Sequence, residues 1–166
     1  MASEKNGWAL RTKGNRTAED IGVADGQRVD PYKNFRFLVE IDGITQASFA
    51  ECSGLGSEIE VIEYREGGER TTVRKLAGRV RHPDIVLKWG VTTSRELYDW
   101  HLQALNGNIQ RKNGSIVLLD DAGQEKVRWN FSNGWPCKWD GPSFSGKGND
   151  VAIETLTITC EKQEQA

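Results

Sequence analysis

Apolar and polar residues that alternate strictly, in short runs cut by turn signals, constrain this chain more than any other feature. Phe35, Phe37, Val39 and Ile41 share one parity, Arg36, Leu38 and Glu40 take the other, and Asp42-Gly43 closes the run. A period of two puts successive side chains on opposite faces, the pattern of a half-buried strand rather than a helix. Asp-Gly suits a tight hairpin turn, so Ile44 to Cys52 reads as the return strand. Ser53-Gly54-Leu55-Gly56 interrupts it, and Glu58 to Tyr64 resumes in extended form, with Ile59 and Val61 opposite Glu58 and Glu60. Asp84 to Trp89, Ser115 to Leu119 and Lys126 to Phe131 are further predicted strands, the last two flanking Asp120-Asp121-Ala122-Gly123 as a second hairpin turn. Val151 to Glu161 closes the chain. Ile153, Thr155, Thr157 and Thr159 share one face there, and Leu156, Ile158 and Cys160 the other.

One segment has a different period. Thr93-Ser94-Arg95-Glu96 has the form of a capping box, and Asn106-Gly107 is a helix stop, which predicts a helix over about Ser94–Leu105. Leu97, Tyr98, Trp100, His101, Leu102, Ala104 and Leu105 sweep about 200° of its circumference, where a lone amphipathic helix needs a stripe of roughly 100°. The surplus, with Trp100 among it, is expected to pack on something besides the chain's own sheet. Roughly seven strands with one helix predict a mainly β (α+β) fold: two packed antiparallel sheets forming a sandwich or barrel, with one flanking α-helix.

A length of 166 residues fits one domain. Residues 1–30 hold no sustained period and only scattered apolar anchors such as Trp8 and Leu10, so they read as an N-terminal arm, with residues 31–166 as the folded domain. The arm is either flexible or ordered on a partner. A formal net charge of −2 offers no basic field, and no specific nucleic-acid binding is expected. No apolar run approaches the ~20 residues of a membrane span, and Met1 to Leu10 lacks a signal-peptide stretch; folding in a cytoplasm without a membrane anchor is the expectation. Cys52, Cys137 and Cys160 are widely spaced, with no CxxC and only two histidines in the chain, so neither a disulfide framework nor a metal site is expected.

The residues that carry catalysis elsewhere are thinly placed. No phosphate-cradling glycine loop, HExxH or GxSxG occurs, and His101 falls mid-stripe on the helix, where packing is its ordinary role. No catalytic residue and no cofactor is expected, and the chain is read as a non-enzyme. Trp129, Trp135 and Trp139 crowd a segment rich in glycine and proline. They allow a monomeric carbohydrate-binding β-sandwich, although core and interface packing suits tryptophan better.

Charge is laid out in blocks. Glu40, Asp42, Glu51, Glu58, Glu60 and Glu63 have no basic residue among them, while Arg65, Arg70, Arg74, Lys75, Arg79 and Arg81 follow with only Glu66 and Glu69 in opposition. The residues from Arg65 to Arg81 read as a long basic loop. It is neutralised within the subunit, or it docks head to tail on a neighbour's acidic strands around Glu58 and Glu60, a contact of the kind that builds rings and filaments.

Several blocks in order carry a resemblance. Asp30 to Gly43, Phe49-Ala-Glu-Cys-Ser-Gly-Leu55, Val61 to Gly68, Arg74-Lys-Leu-Ala-Gly78, Pro83 to Thr92, Asn133 to Pro142 and Asn149 to Ile158 together resemble the phage tail-tube family, across nearly the whole chain after the arm. That family is similar to type VI secretion tube proteins. The resemblance implies hexameric rings stacked into the inner tube of a contractile injection system, with the loop at Arg65–Arg81 reaching a neighbouring subunit. It implies as partners other copies of the chain, a sheath around the tube, baseplate and spike proteins at one end, a tube terminator or cap at the other, and protein cargo in the lumen. A baseplate or tube-terminating relative of the same fold fits the same blocks.

Overall fold

The computed structural model describes residues 36–44, 49–68 and 72–166. The expected N-terminal arm lies outside these residues, as do Arg70 and Glu69. Among the described residues, nine strands and one helix follow in the order β1 (Phe37–Ile41), β2 (Glu51–Ser53), β3 (Glu58–Tyr64), β4 (Arg74–Arg81), β5 (Ile85–Gly90), α1 (Glu96–Leu105), β6 (Lys112–Leu119), β7 (Glu125–Asp140), β8 (Ile153–Thr159) and β9 (Lys162–Gln165). The pairing is antiparallel throughout, in the order β1-β6-β7-β8-β5-β2, with β9 also on β7; β3 and β4 form a separate two-stranded sheet. The sheet does not close into a barrel.

The long β7 holds the larger assembly together. Its first part pairs with β6 and β9, and its second part, from Trp135, pairs with β8. The switch falls at Asn133, in the left-handed region at φ 53°, a conformation that asparagine tolerates better than most residues. Gly134 follows, buried where a Cβ would stand 2.8 Å from the Phe131 ring. Two leaves result, and their inward side chains make one core. Val39, Ile41, Ile116 and Phe131 come from the first leaf, and Ile85, Leu87, Trp89, Leu156 and Ile158 from the second. The parity expected for β8 is the one observed, since Leu156 and Ile158 are fully buried. Asp120 closes the β6–β7 turn by accepting the Ala122 and Gln124 N–H groups on Oδ1 at 2.9 and 2.8 Å. The hydrogen bond from Gln124 is the main reason its carboxyl is held below the usual range.

Two local expectations change. The capping box at Thr93–Glu96 does not form: Arg95 occupies the N-cap and no side chain caps it, although Asn106-Gly107 ends the helix as expected. Asp42-Gly43 does turn the chain, with the Ile44 N–H donating to the Ile41 carbonyl at 2.8 Å. The strand that follows does not return along β1, however. β2 pairs with β5, and β1 pairs with β6, because long-range burial rather than the turn selects the partner.

Candidate functional site

Between β2 and β5 the chain leaves the larger sheet and returns as the β3–β4 arm. This corrects the expected basic loop, since Arg74–Arg81 is a strand laid along Glu58–Tyr64. No third strand pairs with the two among the described residues. The register pairs Glu58 with Arg81, Ile59 with Val80, Val61 with Ala77, Ile62 with Leu76, Glu63 with Lys75, and Tyr64 with Arg74. Gly78 and Arg79 together oppose Glu60, so a bulge sits in β4 and β3 keeps its alternation. Ile59, Val61, Val80 and Ala77 therefore share one face, edged by Glu63 and Lys75. Ile62, Leu76 and Tyr64 share the other with the charged residues.

Both faces are open. Ile59, Val61, Ile62, Tyr64, Leu76 and Val80 are each about half exposed or more, reaching 60% at Val80. A two-stranded hairpin is at best marginal on its own, and apolar surface of this extent on a small arm signals a partner.

The arm leaves the larger sheet through a built root. Gln163 on β9 accepts from the Gly56 N–H at 3.0 Å and donates to the Pro83 carbonyl at 2.7 Å, tying the outgoing chain to the returning one. The His82 ring nitrogen lies 3.3 Å from the Gly56 carbonyl. Gly54 stands at φ +86°, where a Cβ would meet the Asp84 carbonyl oxygen at 1.9 Å. Neither Gly54 nor Gln163 was marked as special by the sequence. Gly54 read as a strand breaker, and Gln163 lies in a polar tail whose role depends on Gly56 and Pro83, 107 and 80 positions away.

The acidic and basic blocks meet inside this arm. Arg81 pairs with Glu60 at 3.6 Å and Arg74 with Glu66 at 3.6 Å, while Lys75 faces Glu63 across the ladder. Arg65 and Arg79 are exposed on the same arm. Like charges directly opposed across a ladder cost about 0.2–1 kcal/mol, so Lys75→Glu should speed amide exchange in β3 and β4 by up to about fivefold. Adding Glu63→Lys should restore the slower exchange. Persistence of the fast exchange in the swapped pair would show that these charges do not act on each other.

Trp100 is placed otherwise. It lies in the core, 3% exposed, and its indole N–H donates to the Gln110 carbonyl at 2.9 Å. The helix surface left over is Leu102 and Leu105. Trp139 is likewise engaged, edge-on to Trp89 and Tyr98 and stacked on His101. Burial pushes the Cys52 thiol up to about 12, the setting of a packing residue rather than a nucleophile. Among the described residues no group of His, Cys, Asp and Glu side chains converges to hold a metal ion, and no helix is long and apolar enough to cross a membrane.

Comparison with known proteins agrees with this geometry. The family model described as T4-like virus tail tube protein gp19 matches residues 33–164. A chain of the six-fold symmetrised anti-feeding prophage baseplate is 28% identical with a TM-score of 0.77, covering 84% of this chain and 97% of its own. A chain of the sheath–tube complex of an extracellular contractile injection system, in the extended state, is 28% identical with a TM-score of 0.71, covering 92% and 99%. A chain of the anti-feeding prophage tube-terminating cap is 29% identical with a TM-score of 0.73, covering 86% and 95%. No curated protein matches the chain.

Proposed function

We propose, from the premise that this chain belongs to the T4-like virus tail tube protein gp19 family, that it is the inner-tube subunit of a contractile injection system. Hexameric rings of the chain stack into a hollow tube, which sheath contraction drives through a target envelope. The observation that carries this reading is the open β3–β4 arm, which exposes six large apolar side chains and pairs with no third strand among the described residues. The outer edges of β1 and β2 add to it, because they end the larger sheet's pairing order, and joining such edges between subunits removes an aggregation hazard. Interfaces of the obligate kind, ~2,000 Å² or more, would bury these surfaces.

In this reading the arm's charges are settled largely inside the arm, through Glu60 with Arg81 and Glu66 with Arg74. Its apolar face makes the contact, while Glu58, Arg65, Lys75 and Arg79 form a polar rim. The subunit assembles in the cytoplasm and has a structural role without catalysis. Around it stand the sheath, baseplate and spike proteins at one end, and a terminator or cap at the other; protein cargo occupies the lumen. Baseplate and cap chains are among its structural neighbours, so a ring-limited role is the second reading.

Size-exclusion chromatography and negative-stain imaging of the full chain, alone and with its baseplate, test both. Tubes of open-ended length are expected. Single rings that never lengthen would favour the second reading, and a strict monomer at high concentration would overturn both.

A further inference from the structure

Four Asn-Gly steps occur in the chain, at Asn6, Asn106, Asn113 and Asn133, and the last three lie among the described residues. Glycine places no side chain beside its own amide nitrogen, so a preceding asparagine can close on that nitrogen and lose its side-chain amide. Asn106, Asn113 and Asn133 are all exposed, so access to solvent does not separate them. What separates them is how each is held.

At Asn113 the amide oxygen accepts the Asn133 N–H at 3.1 Å, and the Asn113 N–H donates to an Asp42 carboxylate oxygen at 3.1 Å. Gly114 pairs with Ile41 on one side and Phe131 on the other. At Asn133 the amide nitrogen donates to Glu161 at 2.8 Å, and Gly134 is buried against the Phe131 ring. Closing a ring at either site means turning a peptide out of a ladder in the middle of the sheet.

Asn106 is held by backbone alone. Its side chain makes no hydrogen bond among the described residues, and nothing lies within 4 Å of where a Cβ would stand on Gly107. The N–H groups of Asn106, Gly107 and Asn108 donate to the carbonyls of Leu102, Ala104 and Gln103 at 3.1, 3.1 and 3.0 Å. These bonds close the last turn of α1, with Gly107 in the left-handed region at φ 86°. That turn carries no basic side chain, and Leu105 within it is 67% exposed, so unwinding it uncovers little apolar surface. Opening stops at Gln110, whose carbonyl is held by the indole N–H of the buried Trp100.

We propose that Asn106 is a site of spontaneous deamidation, selected over Asn113 and Asn133 because its peptide turns without breaking a sheet ladder. The Gly107 nitrogen attacks Cγ of Asn106. The N–Cγ bond forms, the Cγ–Nδ2 bond breaks, and ammonia leaves with the proton of the Gly107 amide. Water then opens the cyclic imide at either carbonyl, giving aspartate, or isoaspartate in which the backbone runs through Cγ. Either product places a carboxylate at the C-terminal end of α1, where the helix dipole is already negative. The last turn loosens, and a charge follows directly on the exposed Leu105. The reaction uses only this chain and water, and it does not depend on the tube reading.

The test incubates the soluble full chain at mildly alkaline pH and maps its peptides by mass spectrometry. Isoaspartate is counted by enzymatic methyl transfer from S-adenosylmethionine. The Asn106 peptide is expected to convert at least about tenfold faster than the Asn113 and Asn133 peptides, since a helix end opens at lower free energy than a core ladder. In urea the three should convert at comparable rates, which assigns the difference to the fold. Aged chain should show faster amide exchange at Leu105 to Gly107 and unchanged exchange in β5 and β8. Asn106→Ser should remove both the converted peptide and that change in exchange. Equal conversion of the three peptides in the native chain would overturn the proposal. So would an Asn106 peptide that stays intact while the sample in urea converts.

Discussion

Replacing Ile59 and Val80 together with aspartate is expected to abolish tubes while leaving the folded subunit intact. The two residues face each other across the β3–β4 ladder, and both are more than half exposed. In the free subunit the change removes little buried surface, and the larger core of Val39, Leu87, Trp89 and Ile158 has no part in it. In an assembled tube the same positions would be dry. Each buried polar group without a partner costs about 1–3 kcal/mol, and a carboxylate costs more. Two per subunit, repeated round a ring, exceed what a marginal assembly can absorb. The expected measurement is a melting temperature within a few degrees of the native chain together with no tubes in negative stain. Because two aspartates also repel across the ladder, Ile59→Thr with Val80→Thr serves as the companion. Threonine keeps the strand preference and removes most of the apolar cover, so shortened tubes are expected. Native-length tubes from both variants would show that the arm is not the contact surface. A steep loss of melting temperature would show that the arm belongs to the core.

Where one face of a strand is buried, the sequence pattern was sufficient. β1 and β8 alternate because Val39, Ile41, Leu156 and Ile158 must reach the core while their neighbours do not, and the Asp120 turn follows from one side chain bonding its own backbone. β4 was invisible for the converse reason. Arg-Lys-Leu-Ala-Gly-Arg-Val-Arg has no parity because neither face is buried in the subunit, and it carries a bulge at Gly78-Arg79. A pattern that records burial cannot mark a strand that awaits it from outside. Only the first part of β7 was legible, because Asn133-Gly134-Trp135-Pro136 has the composition of a break; the strand uses these residues to change partners instead. Pairing was out of reach for a related reason. Asp42-Gly43 sets a turn, yet the core decides that β1 joins β6 and β2 joins β5. At the candidate site the apolar residues of β3 could be read. Their exposure and the Gln163 and Gly54 root could not, since both depend on contacts distant in sequence.

The root is where a single atom should have a large effect. Gly54→Ala asks for a Cβ at 1.9 Å from the Asp84 carbonyl oxygen and 2.8 Å from its carbon, backbone atoms that cannot swing aside as a flexible side chain would. Asp84 immediately precedes Ile85, which is fully buried at the start of β5, so relief of the clash must move either the core or the arm. The left-handed φ of +86° adds roughly 1–2 kcal/mol for any residue with a Cβ. Overpacking of a dense region adds typically 1–3 kcal/mol and occasionally more. The sum is ~2–5 kcal/mol, a large share of the stability of an ordinary domain. Gly123→Ala is the control: its φ is +78° and nothing lies within 4 Å of the added carbon, so it carries the conformational cost alone. Chemical denaturation should therefore place Gly54→Ala well below Gly123→Ala, with the difference reporting the steric contact at the root. Where the Gly54→Ala subunit remains folded, its arm should be turned from its native direction, and ring or tube assembly should fail even at temperatures well below its melting point. Equal destabilisation by the two substitutions would mean that the chain passes Asp84 with room to spare, and that the arm's direction is not fixed at Gly54.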